Sequence, residues 1–299
     1  MRIYYTDHFD LPLPDRHRFP MAKYRRLRRR LVQDPLHRDD VLVVPPAATD
    51  QQLRLCHTDR YIGAVIDGTL TAAEVRRIGF PWSPKMVERS RRSTGATMAA
   101  ARAAIAGDRI SFNLAGGTHH AMTDAGEGYC VFNDAAVTIA ALRDEGVIDR
   151  ACVIDLDVHQ GNGTAQIAAD KEFIYTLSIH GERNFPLRKF ASDLDVPLPD
   201  GTGDDEYERQ LQIALQTVDR NGPYDLAIFL AGADPFIGDR LGRLSLTKSG
   251  LIRRDETVMR WAADQNLPLA VAMAGGYAPD INDIVDIHAA TIATAKRLD

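Results

Sequence analysis

Four short stretches of this chain gather the residue types that metal-assisted hydrolysis needs. The run Val153-Ile154-Asp155-Leu156-Asp157-Val158-His159 passes from apolar to polar and leads into the glycine-rich turn Gln160-Gly161-Asn162-Gly163. Side chains of an extended backbone alternate with period two, so Asp155, Asp157 and His159 are expected to project to one face. A second apolar run, beginning at Leu226, ends in Gly232-Ala233-Asp234 and brings another carboxylate. Two carboxylates and one imidazole leave a fourth position open to water, the layout of a catalytic rather than a structural zinc site. An Asp-x-His triplet alone also arises by chance, so its neighbours decide. Ala115-Gly116-Gly117-Thr118-His119-His120 sets adjacent histidines beyond a glycine turn, where they could act as paired acid and base groups or form an ordinary turn. In Ala274-Gly275-Gly276-Tyr277 the glycines let the backbone pass close to a ligand, and the phenol could donate to a developing oxyanion.

Each stretch follows an apolar run, and these runs read as strands over 2–5, 41–44, 110–114, 151–156, 173–179, 226–231 and 267–274. Several are unalternating, such as Leu226-Ala227-Ile228-Phe229-Leu230, the pattern of strands covered on both faces. Helical patterns lie between them at 83–106, 131–145, 204–218, 247–265 and 281–297, the first opening with Ser83-Pro84, a good N-cap and first-turn pair. Alternating strand and helix predicts a single-domain α/β fold over 1–299, a mainly parallel sheet with helices on both faces. Residues 191–203 read as a long Asp/Pro-rich connection. Ligands of such sheets bind beyond the carboxyl ends of the strands, which is where the four stretches fall.

Composition sets limits. With 45% hydrophobic and 26% charged residues the chain is of ordinary globular character, and its net charge of -5 gives no global pull toward nucleic acid or anionic membrane. Direct nucleic-acid binding is therefore not expected. No apolar stretch reaches the length of a membrane span, and three scattered cysteines fit neither a disulfide framework nor a thiolate zinc site. A cytoplasmic location is expected. The basic run from Lys23 to Arg30 reads as the solvated face of an early helix, with Leu27 and Leu31 on its buried side.

Taken together and in this order, the stretches resemble the histone deacetylase family of the arginase-deacetylase fold. The resemblance runs from His17-Arg18-Phe19-Pro20-Met21 through His57-Thr58-Asp59-Arg60-Tyr61, His119-His120, Gly128-Tyr129-Cys130 and Asp155-Leu156-Asp157-Val158-His159 to Gly275-Gly276-Tyr277. Gln160-Gly161-Asn162-Gly163 and Asp239-Arg240-Leu241-Gly242 are more similar to the class IV branch and its bacterial relatives than to class I. The resemblance implies one zinc ion per chain held by Asp157, His159 and Asp234, with Tyr277 as the electrophilic hydroxyl. It makes His120 the general base and later acid, and His119 its electrostatic partner oriented by Asp155. Asn162 faces His120 where class I enzymes carry aspartate, which lowers the basicity of that imidazole. Gly128 would accept the substrate amide N–H through its carbonyl, while Tyr129, Phe185 and Leu241 would line a narrow tunnel. A potassium ion is implied near Asp155 and Ser178.

The activity so implied is zinc-dependent hydrolysis of an acyl-amine amide bond on an acylated lysine of a peptide or protein, with acetyl and long fatty acyl groups both open. Deacetylation of acetylpolyamines or other small acylated amines would use the same chemistry. A binding module holding acyl-lysine without turnover is a further alternative, opposed by the complete set Asp157, His159, Asp234, His120 and Tyr277. A dinuclear ureohydrolase of the same fold would need more metal ligands than these strands offer. His8, His17, His37, His57, His180 and His288 are expected to be structural.

Overall fold

Unalternating apolar runs form central strands that are buried on both sides, and the computed structural model, which describes residues 1–9, 11–14 and 17–298, assembles eight strands into one sheet. The strands are β1 (Arg2–Tyr4), β2 (Val41–Val43), β3 (Ile110–Asn113), β4 (Ala151–Asp155), β5 (Ile174–Gly181), β6 (Leu194–Leu198), β7 (Leu226–Leu230) and β8 (Leu269–Ala272). Their order is β2-β1-β3-β8-β7-β4-β5-β6, and every pairing is parallel. All carboxyl ends therefore share one edge.

The helices are α1 (Ala22–Gln33), α2 (Asp50–Arg54), α3 (Asp59–Asp67), α4 (Ala72–Ile78), α5 (Pro84–Ala103), α6 (Asp134–Asp144), α7 (Asn162–Ala168), α8 (Asp204–Arg220), α9 (Lys248–Asp264) and α10 (Ile281–Leu298). They cover both faces. Val153, Ile228, Leu230, Ala270 and Ala272 pack into one core with residues of α5, α6 and α7. Their strand neighbours Cys152, Ile154, Ala227, Phe229, Leu269 and Val271 pack into a second core with α1, α8, α9 and α10. Alternation within β4, β7 and β8 thus feeds two apolar layers, which is why these central strands read as nearly unbroken apolar runs. Among the described residues, no helix is long and apolar enough to cross a membrane.

Two expectations change. The connection at 191–203 contains β6, an edge strand paired only with β5, where Pro197 is tolerated because an edge strand needs ladder bonds on one side only. In α1 the arginines at 25, 26, 29 and 30 are exposed and Leu27 and Leu31 are buried as expected, but Lys23 and Tyr24 are buried too. Lys23 Nζ donates to Ala274 O at 3.1 Å and lies 5.7 Å from the Tyr277 ring, so the first turn of the helix packs under the loop that carries Tyr277.

Candidate active site

Strands β3, β8, β7 and β4 are consecutive in the sheet, so the loops that follow them meet at one edge. Those loops carry His119-His120, Gly275-Gly276-Tyr277, Asp234 and Asp157-His159. Sheet order, rather than closeness in sequence, collects the four stretches.

The gathering of Asp155, Asp157 and His159 has a different cause from simple strand alternation. Strand β4 stops at Asp155, and the next turns are built from carboxylates accepting backbone N–H groups: Asp155 Oδ1 from Asp157 N at 3.2 Å and Asp157 Oδ1 from His159 N at 3.0 Å. Asp155 accordingly turns to His119 while Asp157 turns to His159. One donor atom each from Asp157, His159 and Asp234 lies within 4.8 Å of the other two, and all three residues are buried. Asp157 Oδ1 is 2.9 Å from His159 Nδ1, and its Oδ2 accepts from Gly275 N at 2.8 Å. Asp234 Oδ1 accepts from Val158 N at 3.0 Å, whereas its Oδ2 is buried without a hydrogen-bond partner, although His159 Nδ1 lies 3.3 Å away. An orphaned carboxylate oxygen is costly in a protein interior. Oxygen, nitrogen and oxygen donors around that orphan fit a divalent ion such as zinc. Burial works against charge on His159, yet Asp157 and Asp234 prevail and raise it to about 10, so a proton takes the cation's place and must leave when metal enters.

Glycine at 275 is required by this cradle. A Cβ there would stand 2.0 Å from Asp234 Oδ2 and 2.5 Å from Asp157 Oδ2. The preceding Ala274 already adopts a left-handed φ of 51°.

Opposite the cradle, the histidine pair is set by a capped loop. Asp134 accepts from Gly117 N at 3.0 Å and from Thr118 N at 2.7 Å, and Gly116 and Gly117 take φ of 78° and 69°. The two rings stand 4.1 Å apart but differ in charge. His119 Nδ1 lies 2.7 Å from Asp155 Oδ2. Burial lowers its pKa, but Asp155 and Asp157 outweigh that and lift it to about 9. His120 Nδ1 lies 2.6 Å from Asn162 Oδ1, a neutral acceptor, which fixes the proton on Nδ1 and leaves Nε2 as a lone pair. Burial, with His119 and His159 beside it, holds His120 well below the usual histidine range. These surroundings thus set the two rings apart, His119 toward the charged form and His120 toward the neutral one.

Tyr277 is buried, its ring 6.3 Å from that of His159. Burial and the charges of Asp157 and Asp234 keep its phenol protonated. Above it opens a cavity of about 490 Å³ walled by Gly128, Tyr129, Phe185 and Leu241, with His120, His159 and Tyr277 at its base. Phe185 meets His120 edge to face at 4.8 Å. A smaller space of about 40 Å³ adjoins it, sharing His120, His159 and Tyr277 and bounded also by His119, Asp157, Gly275 and Arg89. Every site residue expected from the sequence is thus drawn to this edge. Asp155 and Ser178, the side chains expected at potassium, are register partners on β4 and β5, with Ser178 Oγ 3.0 Å from His180 Nδ1.

Two residues act here in roles the sequence did not signal, although Asp239 stands in the Asp239-Arg240-Leu241-Gly242 stretch that carries part of the resemblance. Asp239 Oδ2 accepts from Tyr277 N at 2.6 Å, while its Oδ1 accepts from Leu241 N at 2.8 Å and Gly242 N at 3.1 Å. One carboxylate thereby joins the tyrosine loop to the tunnel wall. Arg254 of α9, fully buried, donates to Leu156 O at 3.3 Å and Gly232 O at 2.6 Å and is balanced by Asp255. It ties together the two loops that supply the metal cradle.

A doubly covered parallel sheet with this constellation at its carboxyl edge belongs to the arginase-deacetylase architecture. A solved histone deacetylase homologue from Aquifex aeolicus superposes with a TM-score of 0.83 at 23% identity, covering 98% of this chain and 83% of that one. The histone deacetylase domain model matches residues 17–292, and the chain belongs to the histone deacetylase family. It is 32% identical to Histone deacetylase 2 of Arabidopsis thaliana over 92% of this chain and 74% of that protein. An uncharacterised Picosynechococcus protein is 39% identical over 96% of this chain and 95% of its own length. The histone deacetylase-like amidohydrolase of Pseudomonas aeruginosa is 31% identical, covering 78% of this chain and 65% of that protein.

Proposed function

We propose that this protein is a zinc-dependent deacylase of the class IV type that hydrolyses the amide of an acylated lysine side chain. The observation that carries this reading is the buried Asp157–His159–Asp234 cradle with its orphaned Asp234 oxygen, facing a neutral His120 and a protonated Tyr277. Asp157, His159 and Asp234 would hold the ion. When bound, zinc supplies an acidified water and Lewis acidity toward the amide carbonyl.

The protein's own groups account for the remaining steps. Gly128 presents its carbonyl to the substrate N–H, and Tyr129, Phe185 and Leu241 enclose the aliphatic stem and exclude water. His120 Nε2 takes a proton from the attacking water and returns it to the departing amine nitrogen. Tyr277 donates its hydroxyl hydrogen to the carbonyl oxygen as negative charge builds there. His119, held cationic by Asp155, stabilises the same charge from beside His120 and discourages protonation of that base. Potassium between Asp155 and Ser178 would brace the strand ends. The space of about 40 Å³ beside His119, His120, Asp157 and Gly275 leaves little room beyond the metal and its water, which favours a short acyl group such as acetyl over a myristoyl chain.

The test is hydrolysis of acyl-lysine peptides, acetyl through myristoyl, by metal-stripped and zinc-reloaded protein. Zinc-dependent release of acetate, falling steeply with chain length, is expected. Turnover that survives stripping would overturn the zinc reading, and a myristoyl optimum would overturn the short-acyl one.

A further inference from the structure

The mouth of the cavity is dominated by positive charge. Arg76 and Arg77 from the end of α4 and Arg183 and Arg243 from loops line the large cavity, and Arg18 and Arg240 line an adjoining one of about 220 Å³ that shares Leu241 and Tyr277. All six are exposed. One carboxylate, Glu127, lines the same opening, and it faces Arg77 Nε at 3.4 Å and Asn162 Nδ2 at 3.3 Å. Arg183 and Arg243 share a single outer carboxylate, Asp200, at 4.0 and 3.2 Å. Among the described residues, no carboxylate stands within ion-pair distance of Arg18 or Arg76. The chain as a whole is at -5, so this ring departs from the average of its surface.

We infer that the arginine rim selects acyl-lysines flanked by acidic residues, an inference that rests on the deacylase reading and names its substrate class. A concave opening lined by one sign of charge concentrates its field and enriches oppositely charged ligands at the mouth. Guanidinium groups also accept carboxylates in bidentate geometry. The arginines line the opening that also holds His120, His159 and Tyr277, which suits a short peptide crossing the mouth with one lysine inserted. An acetylpolyamine, cationic along its length, would be repelled.

The experiment compares kcat/KM of the zinc-loaded protein on acetyl-lysine peptides with acidic, neutral and basic flanks, at low and high ionic strength. Acidic flanks should exceed basic ones by about tenfold at low salt, mostly through KM, and the gap should shrink at high salt as exposed charges are screened. In the double variant Arg76→Glu, Arg183→Glu the order should reverse. Equal rates for all flanks, with the neutral peptide turned over, would overturn the rim inference and leave the deacylase reading intact. No turnover of any peptide would overturn the reading beneath it. Calorimetric binding of the same peptides to the Tyr277→Phe protein then reads the rim directly, and equal affinities there would end the inference too. Free acetyl-lysine matching the acidic peptide would overturn it in favour of a small anionic acyl amine. A single-stranded oligonucleotide that competes as well as the acidic peptide would overturn it in favour of nucleic acid.

Discussion

Tyr277 differs from phenylalanine by one hydroxyl, the group assigned to the developing oxyanion. Tyr277→Phe should lower kcat by about 10²- to 10³-fold, the usual loss for one such donor, while bound zinc measured by metal analysis stays unchanged. Unaltered turnover would remove the tyrosine from the mechanism. Asn162 sets the second residue-scale expectation. Its neutral oxygen lies 2.6 Å from His120 Nδ1 and stabilises an imidazolium less than a carboxylate would. Asn162→Asp should raise the pKa of His120, moving the acidic limb of the kcat/KM profile to higher pH. A limb that stays in place would show that His120 is not the group titrating there. Tyr277 and the cradle could be read from the sequence because each polar side chain follows an apolar strand, whereas the place of Asn162 opposite His120 came only from the family resemblance. The bracing roles of Asp134, Arg254 and Asp239 could not be read this way, even though Asp239 stands in a stretch that carries the resemblance, because no residue pattern marks a side chain that acts on someone else's backbone.

Among the structural elements, the loop after β8 is tightly constrained at Gly275. Gly275→Ala would place a methyl group against Asp234 Oδ2, 2.0 Å away before relaxation, so the folded variant should fail to retain zinc at stoichiometric concentration. Circular dichroism would verify the fold, and full zinc retention would show that the cradle is looser than it stands. Asp239→Ala would strand the N–H groups of Tyr277, Leu241 and Gly242. A loss of roughly 1–3 kcal/mol in unfolding free energy, together with reduced kcat at full zinc occupancy, is expected. Strands were legible because burial on both faces leaves unbroken apolar runs; β6 was not, because Asp195 and Pro197 interrupt a strand that only β5 covers. Helices α2, α3 and α4 also escaped. They are short, and their signal lies in threonine caps at Thr49, Thr58 and Thr71, two of them with a complete capping box, rather than in apolar periodicity.

For the molecule as a whole, acid stability tests how the fold handles a buried histidine. His57 has Nδ1 2.9 Å from Met122 O, and its Nε2 accepts from Asn133 N at 3.0 Å, a geometry that requires the neutral ring. Burial lowers its pKa from 6.5 to about 4. The unfolded chain therefore binds this proton first as pH falls. The contribution is fully present above about pH 6.5 and is lost between there and pH 4, on the order of 3 kcal/mol in all. Urea denaturation at pH 7 and pH 5 should reveal the loss, and His57→Gln, which can keep a donor and an acceptor, should reduce it. An identical pH dependence in the variant would rule His57 out as the cause. The metal remains the centre of the proposal. The most direct measurement is turnover of an acetyl-lysine peptide as zinc is titrated into metal-stripped protein. Activity should climb linearly, break at one equivalent per chain and be absent throughout in Asp234→Ala. Full turnover before any zinc is added, or a break at two equivalents, would contradict a single zinc held by Asp157, His159 and Asp234.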